Sequence, residues 1–334
     1  MSTSPWVTFM NASSDTDPMR NTTALFARAS RNSERVILPI NDIALRADAP
    51  VPAFYCVHSV SGVAGSDFLD LARRFDPTVR FFGIQAPPIE IEEAEFGSSV
   101  ESIADHYADA LVKFQPEGPI VLGGYCVGAV IALAMAQSLR AQGREVGPLV
   151  IIDGAPENTG GPLRHWIPRY WLELARNLRH WIAHGDLVRG GSLQSLMRSL
   201  SSNVSAIGRI AIGLKRGQKL GGGYAMDGMM DLSIYPPAHR QFINRLYAAL
   251  FAYVPKEYPG EVVVYEAKTT PLLYLPQIGR IWRTLASQSE VVGIVGTHIS
   301  MMHEPYVEAL AKNLQRRIAE FFDKFEARRS DHTI

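Results

Sequence analysis

The chain has 334 residues with 33 basic and 33 acidic side chains, so its formal net charge is zero. That balance gives the chain as a whole no electrostatic case for nucleic acid. Hydrophobic residues make up 47% of it, enough to bury the core of one large α/β domain or two small ones and to predict a soluble globular protein. Two cysteines, Cys56 and Cys126, are too few for a disulfide framework. No uncharged apolar run reaches the roughly 18 residues that suggest a membrane span, and the N-terminus lacks a basic segment followed by an apolar one, so the expected location is the cytoplasm.

Residues 1–34 are rich in Ser, Thr, Asn and Asp without sustained periodicity and read as a flexible N-terminal arm or linker. From residue 35 short β-type runs alternate with helical patterns: RVILPI at 35–40, AFYCVH at 53–58, RFFGIQ at 80–85, PIVLGG at 119–124 and PLVIID at 148–153. EVVVYEA at 261–267 and EVVGIVG at 290–296 follow much later. Their nearly continuous apolar character is what parallel strands covered on both faces require, so the fold class is α/β with a mostly parallel central sheet flanked by helices. The stretch 98–115 puts Val100, Ile103, Tyr107, Leu111 and Phe114 on one helical stripe, with Ser98 and Glu101 spaced as a capping box. A helix from Pro305, with Val307, Leu310, Leu314, Ile318 and Phe321 inward and the proline in its first turn, closes the fold.

Residues 157–256 interrupt this alternation with helical stretches such as 169–184 and 241–254, separated by Gly- and Ser-rich pieces. They read as a helical lid inserted in a core formed by 35–156 and 257–328, with a short tail at 329–334. From 157 to 255 twelve Lys or Arg face five acids, a basic insertion in a neutral protein.

The sequence LGGYCVGAVIALAMAQSL at 122–139 is a strand, a sharp turn and a helix, with Cys126 at the turn. In such a junction the nucleophile takes a strained backbone conformation, and Gly124 and Gly128 relieve clashes between strand, turn and helix. The partial positive charge at the helix N-terminus favours an anionic sulfur, the reactive form. A cysteine nucleophile needs a base that can return a proton to the leaving group, a role suited to histidine. Of nine histidines, His298 in GTHIS is best placed, directly after the last predicted strand and at the carboxyl edge of the sheet. An acid must orient that imidazole. Asp153 ends one strand on the correct edge and is the first choice; Glu266 ends the next and is the alternative. The oxyanion hole is expected from the N–H groups of Val127 and, in the loop HSVSGVAG, of Val60. His58 and Tyr125 are candidates for supporting the site.

These segments together resemble the thioesterase domains of nonribosomal peptide synthetases and polyketide synthases, a branch of the α/β-hydrolase fold, over about residues 50–325. FYCVHSVSGVAGSDFLDLARRF is similar to the opening strand and oxyanion loop, GGYCVGAVIALAMAQSL to the nucleophile turn, PLVIIDGAP to the acid-bearing strand, and GTHISMMHEPYVEALAKNL to the histidine segment. The resemblance implies Asp153 as the acid, His298 as the base and a lid after Asp153. It implies an acyl or peptidyl substrate carried on phosphopantetheine, as a carrier-protein or acyl-CoA-like thioester, with no bound cofactor or metal. The chain departs from the pattern where serine is usual at position 126, aspartate before the histidine and proline after His58. A cysteine points to transfer onto an amine or hydroxyl, in condensation or cyclisation, as well as to hydrolysis, because exchange of one thioester for another conserves the activation of the acyl group. The basic lid suggests recognition of a phosphate or an acidic carrier protein. Two other classes fit parts of the pattern: a small-molecule hydrolase similar to dienelactone hydrolase, whose acid would be Glu266, and a noncatalytic acyl-binding protein.

Overall fold

The computed structural model describes residues 36–45, 51–87, 97–156, 236–269 and 278–331. Seven strands form one sheet: β1 (Ile37–Pro39), β2 (Ala53–Val57), β3 (Arg80–Ile84), β4 (Val121–Tyr125), β5 (Leu149–Ile152), β6 (Val262–Ala267) and β7 (Ser289–Ile294). Their order is β1-β3-β2-β4-β5-β6-β7, and only β1 runs antiparallel to its neighbour. All residues of β2, β4 and β5 are buried, which is why their sequences are apolar without alternation. β7 differs from the covered strand expected at 290–296. It is an edge strand in which only Ile294 is buried.

Helices cover both faces. On one lie α2 (Val100–Phe114), α3 (Gly128–Ala141), α4 (Pro237–Ala252) and α5 (Ile278–Leu285), which share a core with Tyr55, Leu122, Ile151 and Val264. On the other lie α1 (Ala64–Arg73) and α6 (Val307–Asp331), packed on Phe54, Val121, Val150 and Val263. The alternation of neighbouring strand residues between these two cores is the period-2 pleat read directly from burial. Among the described residues no helix is long and apolar enough to cross a membrane.

Several helix ends depart from expectation. The N-cap of α2 is Ser99, not Ser98: Ser99 Oγ accepts from Ser102 N and Ser102 Oγ accepts from Ser99 N, each at 3.1 Å. Gly97, at φ 90°, turns the chain into this box, and at the far end Phe114 is 50% exposed because the helix stops there. Pro305 precedes α6 instead of opening it, and Val307 N donates to His303 O at 3.0 Å. Helix α6 continues to Asp331, beyond the start of the tail read at 329. The stretch read at 241–254 begins earlier, at Pro237, a residue suited to the first helical position. The expected arm at 1–34, the helix at 169–184 and most of the lid at 157–256 lie outside the described residues.

Strand order places the site. From β4 the chain's next parallel strand, β5, lies on one side while β2 lies on the other, so the carboxyl end of β4 borders the crevice where such sheets bind ligands.

Candidate active site

Cys126 stands at that carboxyl end with φ 57°, a left-handed conformation that a non-glycine residue holds only at a cost of order 1–3 kcal/mol and that the surrounding structure must impose. Three glycines make it possible. A Cβ on Gly124 would lie 2.1 Å from Gly128 O, one on Gly128 would lie 2.3 Å from His58 O, and one on Gly154 would lie 1.9 Å from Cys126 O. The turn is thus wedged between strand, helix and the β5 terminus. Cys126 N donates to Ile152 O at 3.0 Å, which ties it to β5, and its side chain remains partly exposed. Gly154→Ala should therefore lower the melting temperature by roughly 5–10 °C, since overpacking against backbone costs about 1–3 kcal/mol and leaves nothing flexible to yield. A thermal scan checks this; an unchanged midpoint would contradict the packing described.

The next strand end supplies the carboxylate. Asp153 also has positive φ, 47°, and is 7% exposed. Its N–H donates to Tyr265 O at 2.8 Å, Oδ1 accepts from Ala267 N at 2.8 Å, and Oδ2 accepts from His298 Nδ1 at 2.7 Å. The indole of Trp282 on α5 donates to Gly154 O at 2.7 Å and fixes the turn from behind. His298 is held from three sides. Its ring stacks on Tyr125 with centroids 5.0 Å apart, its backbone carbonyl accepts from Tyr125 OH at 2.9 Å, and the loop is closed by Thr297 N donating to Ser300 Oγ at 2.8 Å. Burial opposes a charge on the imidazole, but Cys126 and Asp153, by charge and hydrogen bonding, outweigh it and hold the ring well above the usual histidine range. With Nδ1 committed to Asp153, the nitrogen left for the sulfur is Nε2.

The loop after β2 can be accounted for donor by donor. His58 N donates to Ile84 O, Ser59 N to Asp67 Oδ2 at 2.6 Å, Ser61 N to Ser59 Oγ, Gly62 N to Ser59 O and Val63 N to Ser61 Oγ. Among the described residues the N–H of Val60 has no acceptor, although Val60 is only 7% exposed. Ser59 O also accepts from His58 Nδ1 at 2.5 Å, and a trans peptide holds its N–H anti to its C=O, so the Val60 N–H faces away from His58. His58 in turn accepts from Tyr107 OH through Nε2 at 2.8 Å, and burial, with His239 nearby, pushes it down to about 4, so it is neutral at physiological pH. On the α3 side, Ala129 N and Val130 N bond the carbonyls of Cys126 and Val127, and Val127 N has no acceptor among the described residues. Gly128 presses this helix start against the carbonyls of Val57 and His58, so the two donor segments adjoin. Helix α4 packs on the same loop: a Cβ on Gly62 would lie 2.9 Å from the Phe242 ring.

Of the residues read from sequence, Cys126, Asp153, His298 and Tyr125 come together, and the segments carrying Val60 and Val127 adjoin beside them. His58 braces the loop from within the core. Glu266 does not join them; its carboxylate faces the first turn of α5, 3.2 Å from where a side chain on Gly279 would begin. Sequence reading missed Trp282, Thr297, Ser300 and Asp67, all of which hold site backbone through side-chain bonds.

Residues 52–180 match the thioesterase domain family. The chain is 32% identical over 108 residues to enterobactin synthase component F of Escherichia coli, covering 32% of this chain and 8% of that protein. It is 32% identical over 118 residues to malpinin synthetase of Mortierella alpina, covering 35% and 1%. The chain thus spans a small fraction of the length of these curated relatives. Among solved structures it is similar to the NocB thioesterase domain of the nocardicin cluster, with TM-score 0.50, 20% identity and coverage of 85% of this chain and 97% of that one. It is also similar to AB3403, a four-domain nonribosomal peptide synthetase, with TM-score 0.53, 20% identity and coverage of 84% and 20%. The α/β-hydrolase fold read from the sequence is the fold of the protein.

Proposed function

We propose that this chain is a thioesterase-type acyltransferase that takes an acyl or peptidyl group from a phosphopantetheine thioester onto Cys126 and passes it to an amine, a hydroxyl or water. The observation that carries the reading is the meeting of His298, bonded to buried Asp153, with a cysteine on a strained turn. In the first step Sγ attacks the thioester carbonyl, and the N–H groups of Val127 and Val60 bind the oxyanion. Collapse expels the pantetheine sulfur, which receives the proton held at His298 Nε2, and leaves an S-acyl cysteine. The acceptor then gives its proton to Nε2 as it attacks the same carbonyl, and Cys126 departs as the leaving group. Asp153 keeps Nδ1 protonated throughout and stabilises the imidazolium.

The cysteine has an energetic purpose in this scheme. A thioester exchanged for a thioester stays activated, whereas a serine ester would surrender part of that activation before the acceptor arrives. The similarity to synthetase components supports an acyl or peptidyl carrier protein as donor, or an acyl-CoA-like thioester, and the basic composition of 157–255 suits a phosphate or an acidic carrier surface. The bond from His298 to Asp153 favours this reading over a dienelactone-hydrolase-like one with Glu266 as acid, and the strained, partly exposed Cys126 favours it over noncatalytic acyl binding.

Partitioning tests the reading. With an acyl-pantetheine donor and a panel of amines and alcohols, the wild type should give an amide or ester alongside free acid, and Cys126→Ser should shift the ratio toward free acid by about tenfold, equivalent to roughly 1.4 kcal/mol between the two barriers. Free acid alone with every acceptor would restrict the enzyme to hydrolysis.

A further inference from the structure

The oxyanion loop His58–Gly62 contains a peptide whose orientation decides whether Val60 can donate, and a carboxylate outside the triad grips the loop on both sides of that peptide. Asp67 lies in the first turn of α1, where the helix dipole favours an anion. Its Oδ2 accepts from Ser59 N at 2.6 Å, and the Ser61 hydroxyl donates to Oδ1 at 3.0 Å and lies 3.2 Å from Oδ2. The same hydroxyl accepts from Val63 N at 3.0 Å, while Ser59 Oγ accepts from Ser61 N at 3.2 Å. One side chain thus anchors the residue before Val60 and the residue after it.

We propose that Asp67 is a positioning residue for the oxyanion hole, acting through Ser59 and Ser61 to present the N–H of Val60. This role rests on the acyl-transfer reading given above. The carboxylate is an expensive choice for stability alone: burial pushes Asp67 up to about 6 in spite of its bonds to Ser59 and Ser61 and the nearby His303. Both of its oxygens are used on the loop, so what the side chain contributes is the fixed loop geometry. Asparagine keeps an oxygen for Ser59 N and can present its amide to Ser61 Oγ, whereas alanine leaves Ser59 N without its acceptor and Ser61 Oγ without its anchor, so the Ser59–Val60 peptide is held only through Ser59 O, by His58 Nδ1 and Gly62 N.

Two reactions of Cys126 separate positioning from general support. Acylation by an acyl-pantetheine builds an oxyanion; alkylation by iodoacetamide is a displacement at carbon and builds none. Asp67→Ala is expected to slow acylation, followed by intact mass, by about 10²–10³-fold, the range for loss of an oxyanion donor. Alkylation should change less than about threefold, by the same measure of selectivity. Asp67→Asn is expected to restore acylation to within about tenfold of wild type without lowering the melting temperature. Unchanged acylation in Asp67→Ala, or acylation and alkylation falling in parallel, would overturn the proposal. Should Asp67→Ala fail to fold, Ser61→Ala serves in its place, with a selective acylation loss of about tenfold expected and a parallel or absent loss overturning the role. A wild type that is alkylated at Cys126 but never acylated would instead overturn acyl transfer itself, and this role with it.

Discussion

Replacing Cys126 with alanine is expected to lower kcat/KM for an acyl-pantetheine donor by at least about 10⁴-fold while leaving the melting temperature within a few degrees of wild type. The two halves of this result come from different links of the chain. Activity is expected to fall because the sulfur proposed to carry the acyl group is gone; what survives would be whatever water achieves against a carbonyl bound near Val60 and Val127. The fold survives because the turn is held by Cys126 N on Ile152 O and by Gly124, Gly128 and Gly154, none of which involves the sulfur. Alanine keeps the strained φ, so the strain itself is not relieved. A variant with near wild-type turnover would show that the acyl group never visits this residue.

Asp153→Asn should cost about 10³–10⁴-fold in kcat/KM with little change in structure. Ala267 N requires an acceptor, which the asparagine oxygen supplies, so the amide NH₂ turns toward His298. Nδ1 must then accept, the ring proton moves to Nε2, and the nitrogen facing Cys126 becomes a donor at the moment when catalysis needs an acceptor. The loss of the carboxylate also removes one of the groups that hold His298 above the usual histidine range, so the imidazolium is lost at lower pH than in the wild type. In a pH profile of kcat/KM the alkaline limb should accordingly move to lower pH. Activity retained to within a few-fold would mean that another acid serves the histidine. The same substitution at Glu266, whose carboxylate faces α5, is the matched control.

Those two variants rest on residues that could be picked out before any fold was known, and the reason is physical. A parallel strand buried on both faces has to be apolar throughout, so VLGGY, LVII and VVVYEA announce themselves, and a polar residue at the end of such a run marks the edge where chemistry collects. Cys126 and Asp153 sit at such ends, and His298 follows the edge strand β7 on the same side of the sheet. Helix α1 escaped notice because its first turn, Ala-Gly-Ser-Asp, has loop composition, and α5 because eight residues give too little periodicity. Asp67, Trp282 and Ser300 were invisible for a different reason: each holds backbone through a side-chain hydrogen bond, and a bond from residue 282 to residue 154 has no spacing to read. The α2 cap was misread by one residue because Ser98 and Ser99 both satisfy the local preference, and only Gly97 decides between them. The basic character of 157–255 is composition alone, and ten of its twelve basic residues, all but Arg240 and Arg245, lie outside the described residues.

The claim beneath all of this is a covalent S-acyl intermediate at one position. Wild-type protein mixed with an acyl-pantetheine thioester, quenched in acid during the first turnovers and weighed intact, should carry one acyl group, and peptide mapping should place it on Cys126. Product released with no adduct at any quench time, or an adduct on another side chain, would contradict it.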